Sequence, residues 1–419
     1  MTIKRFFQLL IFSIIISILS VITIEVTLSI IFPEKVTLFK SAAKLNNEYP
    51  YRFDPLTIVE LKPNISNFSI VPEGKRELIK WHTNESHYRV DAVTVENGKR
   101  IVIYGDSFIH GTFSHDTATF ASQIQKQLFV NTNRMFNVIN RGLTGAGPDQ
   151  NYLRLKNDLE SLKPDLVLFA VLAENDLGDI LKNKLFKLDS VGALRRTYIP
   201  VNEKTAEMPV WISTRQKITQ MFLTTRLIKK TIDIIVGSDK IKVSEVKNQI
   251  NDLRNLCEKE YILYKNPSSD RFPHFGDHPD FDIMEDIHDE SSILKIRLLS
   301  SILKEVKACV SRLNIPLVIV IIPAAIDLAD IYRINYKVLK EMYPGYSPDR
   351  LSRIVDSLCV VNYVDKVNLF KTFIDNSPNE LYFGEEDNHW NAKGQRLAAE
   401  TVIRHLLDQG YFKNTKLKD

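Results

Sequence analysis

The most hydrophobic part of the chain lies at its N-terminus, where nineteen residues from Phe6 to Ile24 contain no charged side chain. As a helix they would extend roughly 28 Å, close to the hydrocarbon thickness of a bilayer. Lys4 and Arg5 precede them, which predicts a cytoplasmic N-terminus and an extracytoplasmic remainder. Because no A-x-A cleavage pattern follows, we expect an uncleaved single-pass anchor. A cleaved signal peptide and a buried core helix are the alternatives.

Further along, short apolar runs alternate with segments of helical periodicity. Strands are predicted in the run K-R-I-V-I-Y before Gly105 and at 136–140, 164–172, 316–323 and around 360–364. Helices are predicted at about 116–130, with Asp116 or Thr117 as N-cap, and at 149–162, 291–312, 333–342, 348–358 and 392–409. Strands that alternate with helices are typical of parallel sheets. We therefore expect an α/β fold with a doubly wound parallel sheet.

The same pattern divides the chain into three parts. Residues 1–33 form the anchor, 34–97 a membrane-proximal segment without clear periodicity, and 98–415 the α/β domain. A long insertion at about 180–290 interrupts this domain and includes an apolar, basic helix predicted near 212–236. It ends in the acidic stretch 274–290, which holds seven acidic residues and three histidines without a lysine or arginine. The insertion is a candidate surface for an envelope protein partner.

Composition narrows the class of protein further. Charged residues make up 25% of the chain and hydrophobic residues 44%, which is ordinary for a globular protein. The net charge of +4 is too small to indicate nucleic-acid binding. The three cysteines, Cys257, Cys309 and Cys359, have no metal-ligand spacing, so we expect plain thiols. Glycine is scarce, at 15 residues, and several of these glycines follow predicted strands.

In parallel sheets, active sites form at the carboxyl ends of the strands, and four blocks of polar residues occupy such positions. Asp106 and Ser107 follow the first strand, and the glycine-rich run N-R-G-L-T-G-A-G follows the second. Asn175 follows the third strand, and Asp387 and His389 precede the last helix. Taken singly, each block is also explained by a turn, a helix cap or a structural histidine.

Together, the blocks G-D-S-F-I-H-G, N-R-G-L-T-G-A-G, A-E-N-D and D-N-H-W-N resemble the SGNH hydrolase superfamily of GDSL-type esterases and acyltransferases. The resemblance covers roughly 100–180 and 290–410 and implies a flavodoxin-like sheet. It implies that Ser107 is the nucleophile, that His389 is the general base, and that no cofactor is needed. The Ser107 and Gly145 N–H groups and the Asn175 amide would form the oxyanion hole, with Gly142 and Gly147 as alternatives to Gly145.

Two blocks depart from the common family pattern. The third block usually reads G-x-N-D, whereas Ala173 stands here in place of the glycine and Glu174 precedes Asn175. The last block usually reads D-x-x-H, but the residue three before His389 is Glu386. The arrangement looks like the variant of membrane-associated bacterial members that modify exopolysaccharides. We expect Asp387 to orient the histidine, with Glu386 as the alternative.

Three functions remain open from these residues. The first is an extracytoplasmic esterase, periplasmic in a Gram-negative cell, that removes an acyl group, with acetyl expected, from a cell-envelope glycan or another ester. The second is an O-acyltransferase with the same triad acting on a polysaccharide hydroxyl. The third is a non-catalytic glycan-binding module.

Some residues near the blocks have two interpretations. His110 and His115 could line the substrate crevice or be structural, and Trp390 could pack beneath His389 or stack on a sugar. In the acidic stretch, the residues with metal-ligating side chains are His274, Asp277, His278 and Asp280. Because no helix-register H-x-x-x-H accompanies them, we expect a solvated charged face there and no metal.

Overall fold

The computed structural model of the protein describes residues 3–31, 49–66, 68–70, 79–91, 95, 98–201, 203–206, 243–276, 279–384 and 387–412. The helices are α1 (Ile3–Ile31), α2 (Ser107–His110), α3 (Phe120–Thr132), α4 (Pro148–Leu162), α5 (Asp176–Asn183), α6 (Val243–Lys265), α7 (Phe281–Glu285), α8 (Glu290–Ser311), α9 (Tyr336–Met342), α10 (Arg350–Val361), α11 (Phe370–Ile374) and α12 (Ala392–Asp408). The helix predicted near 212–236 lies outside the described residues.

Thirteen strands are present in these ranges. They are β1 (Tyr51–Asp54), β2 (Ile58–Leu61), β3 (Phe68–Ile70), β4 (Ile79–Trp81), β5 (Lys99–Gly105), β6 (Phe136–Gly142), β7 (Leu166–Ala173), β8 (Phe186–Leu188), β9 (Leu194–Arg196), β10 (Leu317–Pro323), β11 (Asp365–Asn368), β12 (Tyr382–Gly384) and β13 (Asp387–Trp390). Five of them form the central sheet in the order β11-β10-β7-β5-β6, and every pair is parallel. Read along the chain, this is the 2-1-3-4-5 order of flavodoxin-like sheets.

Both faces of the central sheet are buried by helices. Along β5, Ile101 and Ile103 belong to one hydrophobic cluster and Val102 and Tyr104 to the other, because successive strand residues point to opposite faces. Helices α3 and α12 cover the first cluster, and α4, α8 and α10 cover the second. The predicted doubly wound α/β architecture is therefore confirmed.

Two local predictions were wrong. No strand runs through 360–364, since α10 continues to Val361 and β11 begins only at Asp365; Val360 is 60% exposed at the end of that helix. The cap of the helix predicted from 116 is Thr119, whose hydroxyl accepts a hydrogen bond from the Ser122 N–H. The earlier residues form a separate short 3₁₀ turn.

The membrane-proximal segment 34–97 contributes to the same core in its described part. Strands β1 and β2 form an antiparallel hairpin, and Glu60 on β2 makes ion pairs with the buried Arg141 and Arg154. Arg89, 1% exposed, donates to the carbonyl oxygens of His110 (3.0 Å) and Ser114 (2.7 Å). These bonds hold the loop that follows α2, directly beside the first polar block.

Helix α1 contains the predicted span. Residues Phe7–Ile24 have a mean hydropathy of 2.6, and none of this window is buried against the described protein. Length and composition therefore suit a membrane crossing, and a signal sequence at this end of the chain would satisfy the same criteria.

Candidate active site

Ser107 begins helix α2 at the carboxyl end of β5. The side chain of Asp106 accepts a hydrogen bond from the Phe108 N–H at 3.0 Å and so caps the helix. The first N–H groups of a helix have no intrahelical acceptor, which leaves the Ser107 N–H available beside its own hydroxyl. The serine is 8% exposed and lines a cavity at this edge of the sheet.

His389 and Asp387 form a hydrogen-bonded chain with this serine. His389 Nε2 lies 2.7 Å from Ser107 Oγ, and His389 Nδ1 lies 2.7 Å from Asp387 Oδ1. Because a carboxylate only accepts, Nδ1 carries the proton and Nε2 is left to accept from the serine hydroxyl. Asp387 Oδ1 also accepts from the backbone N–H of His389 at 2.9 Å. The arrangement allows proton transfer from Ser107 to His389.

The strand conformation of β13 explains how Asp387 can contact His389 with the D-x-H spacing. Asp387 and His389 both lie on β13, and residues two apart in a strand point to the same face. The carboxylate therefore reaches the imidazole of its own strand without an extra residue between them. Glu386, the alternative orienter, lies outside the described residues.

Aromatic side chains support the imidazole of His389. The Phe108 ring stacks on it at 4.9 Å, and Phe113 approaches edge-on at 4.9 Å. Trp390 is completely buried and packs edge-on against Phe108 at 5.2 Å. Sugar stacking by Trp390 is thus excluded by its burial, and the tryptophan supports the histidine through Phe108.

Among the described residues, the glycine-rich loop after β6 places one glycine without a backbone N–H hydrogen bond at the cavity. The Gly142 N–H donates to Asn140 Oδ1 at 2.9 Å, and the Gly147 N–H donates to Gln150 Oε1 at 3.1 Å. Gly145 lines the cavity, and its N–H makes no hydrogen bond with a described residue. Its backbone has φ +73°, which favours glycine. Of the three glycines, the geometry therefore favours Gly145 as an oxyanion donor.

Asn175 occupies the N-cap position of α5 without capping the helix through its side chain. Its Oδ1 atom is buried and has no hydrogen-bond partner among the described residues, and the residue lines the cavity. An amide that does not serve the helix end is free to donate to a ligand. The helix-cap interpretation of this asparagine is therefore not supported by the geometry.

These groups surround a cavity of about 240 Å³. Its walls are formed by Asp106, Ser107, Phe108, Gly145, Leu172, Glu174, Asn175, Asp179, Pro279, Asn388 and His389. Three carboxyl side chains line it, and Asp179 makes a 2.5 Å ion pair with the buried Lys182. Behind the wall, burial raises the pKa of Asp176 well above its usual range, and the carboxyl groups of Asp106 and Asp179 raise it further. The site is polar and acidic, which disfavours anionic ligands.

The other two histidines near the nucleophile do not line this cavity. His110 is fully buried, packs edge-on against Trp81 at 4.7 Å and bonds Thr112 through Nδ1 at 2.9 Å. Burial lowers its pKa well below the usual value, and nearby arginines lower it further. His115 is exposed at the start of a 3₁₀ turn. Of their two interpretations, a place in the substrate crevice is therefore not supported, and the structural interpretation stands.

The acidic stretch is partly buried, contrary to the expected solvated face. Lys295, which is fully buried, lies 2.8 Å from Asp280 and 3.0 Å from Asp282. Among the described residues, no group of three or more His, Cys, Asp or Glu side chains could hold a metal ion. Asp277 and His278 lie outside the described residues. The three cysteines are buried and free.

No protein-family model matches the chain, and no curated protein matches it. Solved structures do match it. A lipase/acylhydrolase from Enterococcus faecalis is 11% identical, with 74% of this chain and 96% of that chain covered and a TM-score of 0.35. An acetylxylan esterase from Geobacillus stearothermophilus is 11% identical, with coverages of 75% and 96% and a TM-score of 0.34. Another acetyl xylan esterase is 14% identical, with coverages of 73% and 99% and a TM-score of 0.35.

In its four sequence blocks the chain resembles the SGNH hydrolases. One departure from their common pattern has a visible structural counterpart. Glu174, beside the position where the SGNH pattern has glycine, accepts a hydrogen bond from Asn388 Nδ2 at 2.9 Å. This contact links the third block to the last one across the cavity.

Several residues of the site were not predicted from the sequence. Asn388 lies inside the D-N-H-W block, so its place in the motif was a usable signal. Pro279 and His274 come from the insertion, and the aromatic Phe113 comes from a loop. For these three residues the sequence carries no signal, because their position depends on how distant segments pack.

Proposed function

We propose that the protein is a serine esterase that forms an acyl-enzyme on Ser107. The observation that carries the proposal is the pair of 2.7 Å contacts joining Ser107, His389 and Asp387 at the edge of the cavity. The Ser107 hydroxyl would attack an ester carbonyl while His389 takes its proton. His389 would then return this proton to the departing alcohol, and a water molecule would release the acid in a second round.

The negative oxygen of the tetrahedral intermediate needs donors that are already in place. The N–H groups of Ser107 and Gly145 and the Asn175 amide are the candidates, because all three residues line the cavity. Removing one such donor typically slows catalysis by 10²–10³. The same donors would serve hydrolysis and acyl transfer, since both reactions share the acyl-enzyme.

For the substrate, we propose a short acyl ester, acetyl in particular, on a cell-envelope glycan. A cavity of about 240 Å³ is smaller than the pockets of roughly 300–1,000 Å³ that hold drug-sized ligands, which supports a short acyl chain. Carboxyl and amide groups on its walls support a partner rich in hydroxyl donors. Helix α1 supports a location at a membrane, with the catalytic domain on the extracytoplasmic side.

The first test uses the full-length chain in detergent with p-nitrophenyl esters of increasing acyl length. Ser107→Ala is expected to abolish turnover and labelling by a fluorophosphonate probe, whereas Ser161→Ala, on the exposed side of α4, should change neither. Fastest turnover with the acetyl ester is expected. Wild-type turnover or labelling in the Ser107→Ala protein would contradict the mechanism.

Substrate and topology need separate experiments. Release of acetate from acetylated glycans is expected, and acetyl transfer to a glycan acceptor with slow hydrolysis in its absence would indicate an acyltransferase. Alkaline phosphatase fused to the C-terminus is expected to be active, and an inactive fusion would contradict the extracytoplasmic location.

A further inference from the structure

The insertion contacts the walls of the cavity through the loop between α6 and α7. Pro279 lines the cavity, and the next residue, Asp280, donates its N–H to the Glu174 carbonyl at 2.6 Å. Asp280 Oδ2 accepts from the Leu177 N–H at 3.1 Å. The loop is thus tied to the third block, and Asp280 Oδ1 forms an ion pair with Lys295 Nζ at 2.8 Å.

A second contact joins this loop to the glycine-rich block. His274, 1% exposed, has its Nε2 atom 2.9 Å from the carbonyl oxygen of Thr144. A carbonyl only accepts, so Nε2 carries the proton and donates it. On the other side, the His274 carbonyl accepts from Lys182 Nζ at 2.9 Å. His274 is therefore held in place at both its backbone and its ring.

The Thr144 carbonyl belongs to the same peptide group as the Gly145 N–H. A trans peptide is planar, and its C=O and N–H point in opposite directions. A donor that fixes the Thr144 oxygen therefore also fixes the direction of the Gly145 N–H. A hydrogen bond to the oxygen also polarises the N–H, because linked hydrogen bonds strengthen one another.

Close packing reinforces this restraint. A Cβ atom on Gly145 would lie 3.1 Å from the His274 carbonyl oxygen and 3.2 Å from its Nε2. A Cβ atom there would crowd the imidazole, and the φ of +73° at this position favours glycine. The His274 side chain, from the insertion, thus packs directly against Gly145 of the second block.

We propose that His274 is a positioning residue, which holds the Thr144–Gly145 peptide so that the Gly145 N–H points at the oxyanion. The proposal rests on the esterase function proposed above and adds to it a catalytic role for the insertion. It predicts a defect in kcat without a matching change in KM, because the oxyanion exists only after the bound ester is attacked. A histidine that merely packs the loop would affect stability and leave kcat unchanged.

The test compares two side chains that fill similar space at this position. His274→Gln retains an N–H donor for the Thr144 carbonyl, whereas His274→Leu does not. With p-nitrophenyl acetate, His274→Leu is expected to lower kcat about 10- to 100-fold, less than complete loss of one donor, with KM within about twofold. His274→Gln is expected to keep at least a third of the wild-type kcat. Phosphonylation of Ser107 should slow by the same factors.

Tyr264→Phe is the matched control, since Tyr264 OH donates to the Phe186 carbonyl at 3.0 Å and ties the insertion to the domain away from the cavity. It should leave kcat unchanged. Wild-type kcat in His274→Leu, or equal losses in the Gln and Leu variants, would overturn the proposal. If the Leu variant does not fold, His274→Asn replaces it, because its shorter amide cannot reach the carbonyl. Absence of ester turnover by the wild-type protein would instead refute the esterase function itself, and wild-type activity in Ser107→Ala would refute the assigned nucleophile.

Discussion

The contact between Asp387 and His389 leads to a quantitative prediction for Asp387→Asn. The asparagine has nearly the shape of the aspartate, and its oxygen can still accept from His389 Nδ1, 2.7 Å away, and from the backbone N–H at 2.9 Å. The substitution therefore removes a negative charge and leaves the geometry largely intact. Its effect on the rate measures how far the carboxylate stabilises the positive imidazolium that forms during catalysis.

The size of this stabilisation follows from the separation of the charges. The two side chains are 5% and 20% exposed, so an effective dielectric constant of about 20 is appropriate. Charge centres about 4 Å apart then attract by about 4 kcal/mol. Since 1.36 kcal/mol corresponds to a tenfold change in rate, kcat/KM should fall by about 10³.

The assay is hydrolysis of p-nitrophenyl acetate by the full-length protein, with the Ser107→Ala rate as background. Glu386→Gln provides the comparison, because Glu386 is the other acidic residue that the sequence allows as orienter. We expect Asp387→Asn to be slow and Glu386→Gln to remain near the wild-type rate. Asp387→Asn retaining more than a tenth of kcat/KM, or the reverse order of the two variants, would refute the reasoning.

Two further predictions concern stability. Lys295→Met should lower the free energy of unfolding by about 3–5 kcal/mol, because Asp280 and Asp282 lose their buried partner. Urea titration measures this loss, and Lys393→Met, at an exposed lysine, should show no change. A loss under about 1 kcal/mol for Lys295→Met would count against the ion-pair argument. Burial raises the pKa of Asp149 to about 7, so the folded state binds this proton more tightly than the unfolded state, and stability should fall as pH rises from about 4 to about 8. Asp149→Asn should flatten that slope in urea titrations at pH 5 and pH 8, and an unchanged slope would contradict the assignment.

Most elements of the sheet could be predicted from local pattern. The strands β7 and β10 are continuous apolar runs and β5 contains one, because both faces of a parallel sheet are buried, whereas β6 is a shorter run interrupted by asparagines. The failure at 360–364 has a clear cause, since two valines at the exposed end of α10 imitate a short strand. The hairpins within 34–97 were missed because their four- and three-residue strands are too short to display a period.

The site residues that follow strands were accessible from the sequence for a topological reason. Ser107, Gly145 and Asn175 each come within three residues of a parallel strand's end, and such ends meet at one edge of the sheet. His389 could be added only by resemblance to known motifs. Its proximity to Ser107 requires the chain to return after 282 residues, which no local pattern encodes.

The sequence by itself determined the apolar N-terminal helix, the parallel α/β class and the residue types able to carry ester chemistry. These follow from periodicity, burial and strand ends, which are local properties. Tertiary structure decided which glycine N–H lacks a hydrogen-bond partner among the described residues, because Asn140 and Gln150 accept from the N–H groups of Gly142 and Gly147. It also brought His274 from the insertion to the Thr144 carbonyl, 130 positions away along the chain. Hydrogen-bond partners across such distances are selected by packing of the whole domain, and packing cannot be read from a local pattern.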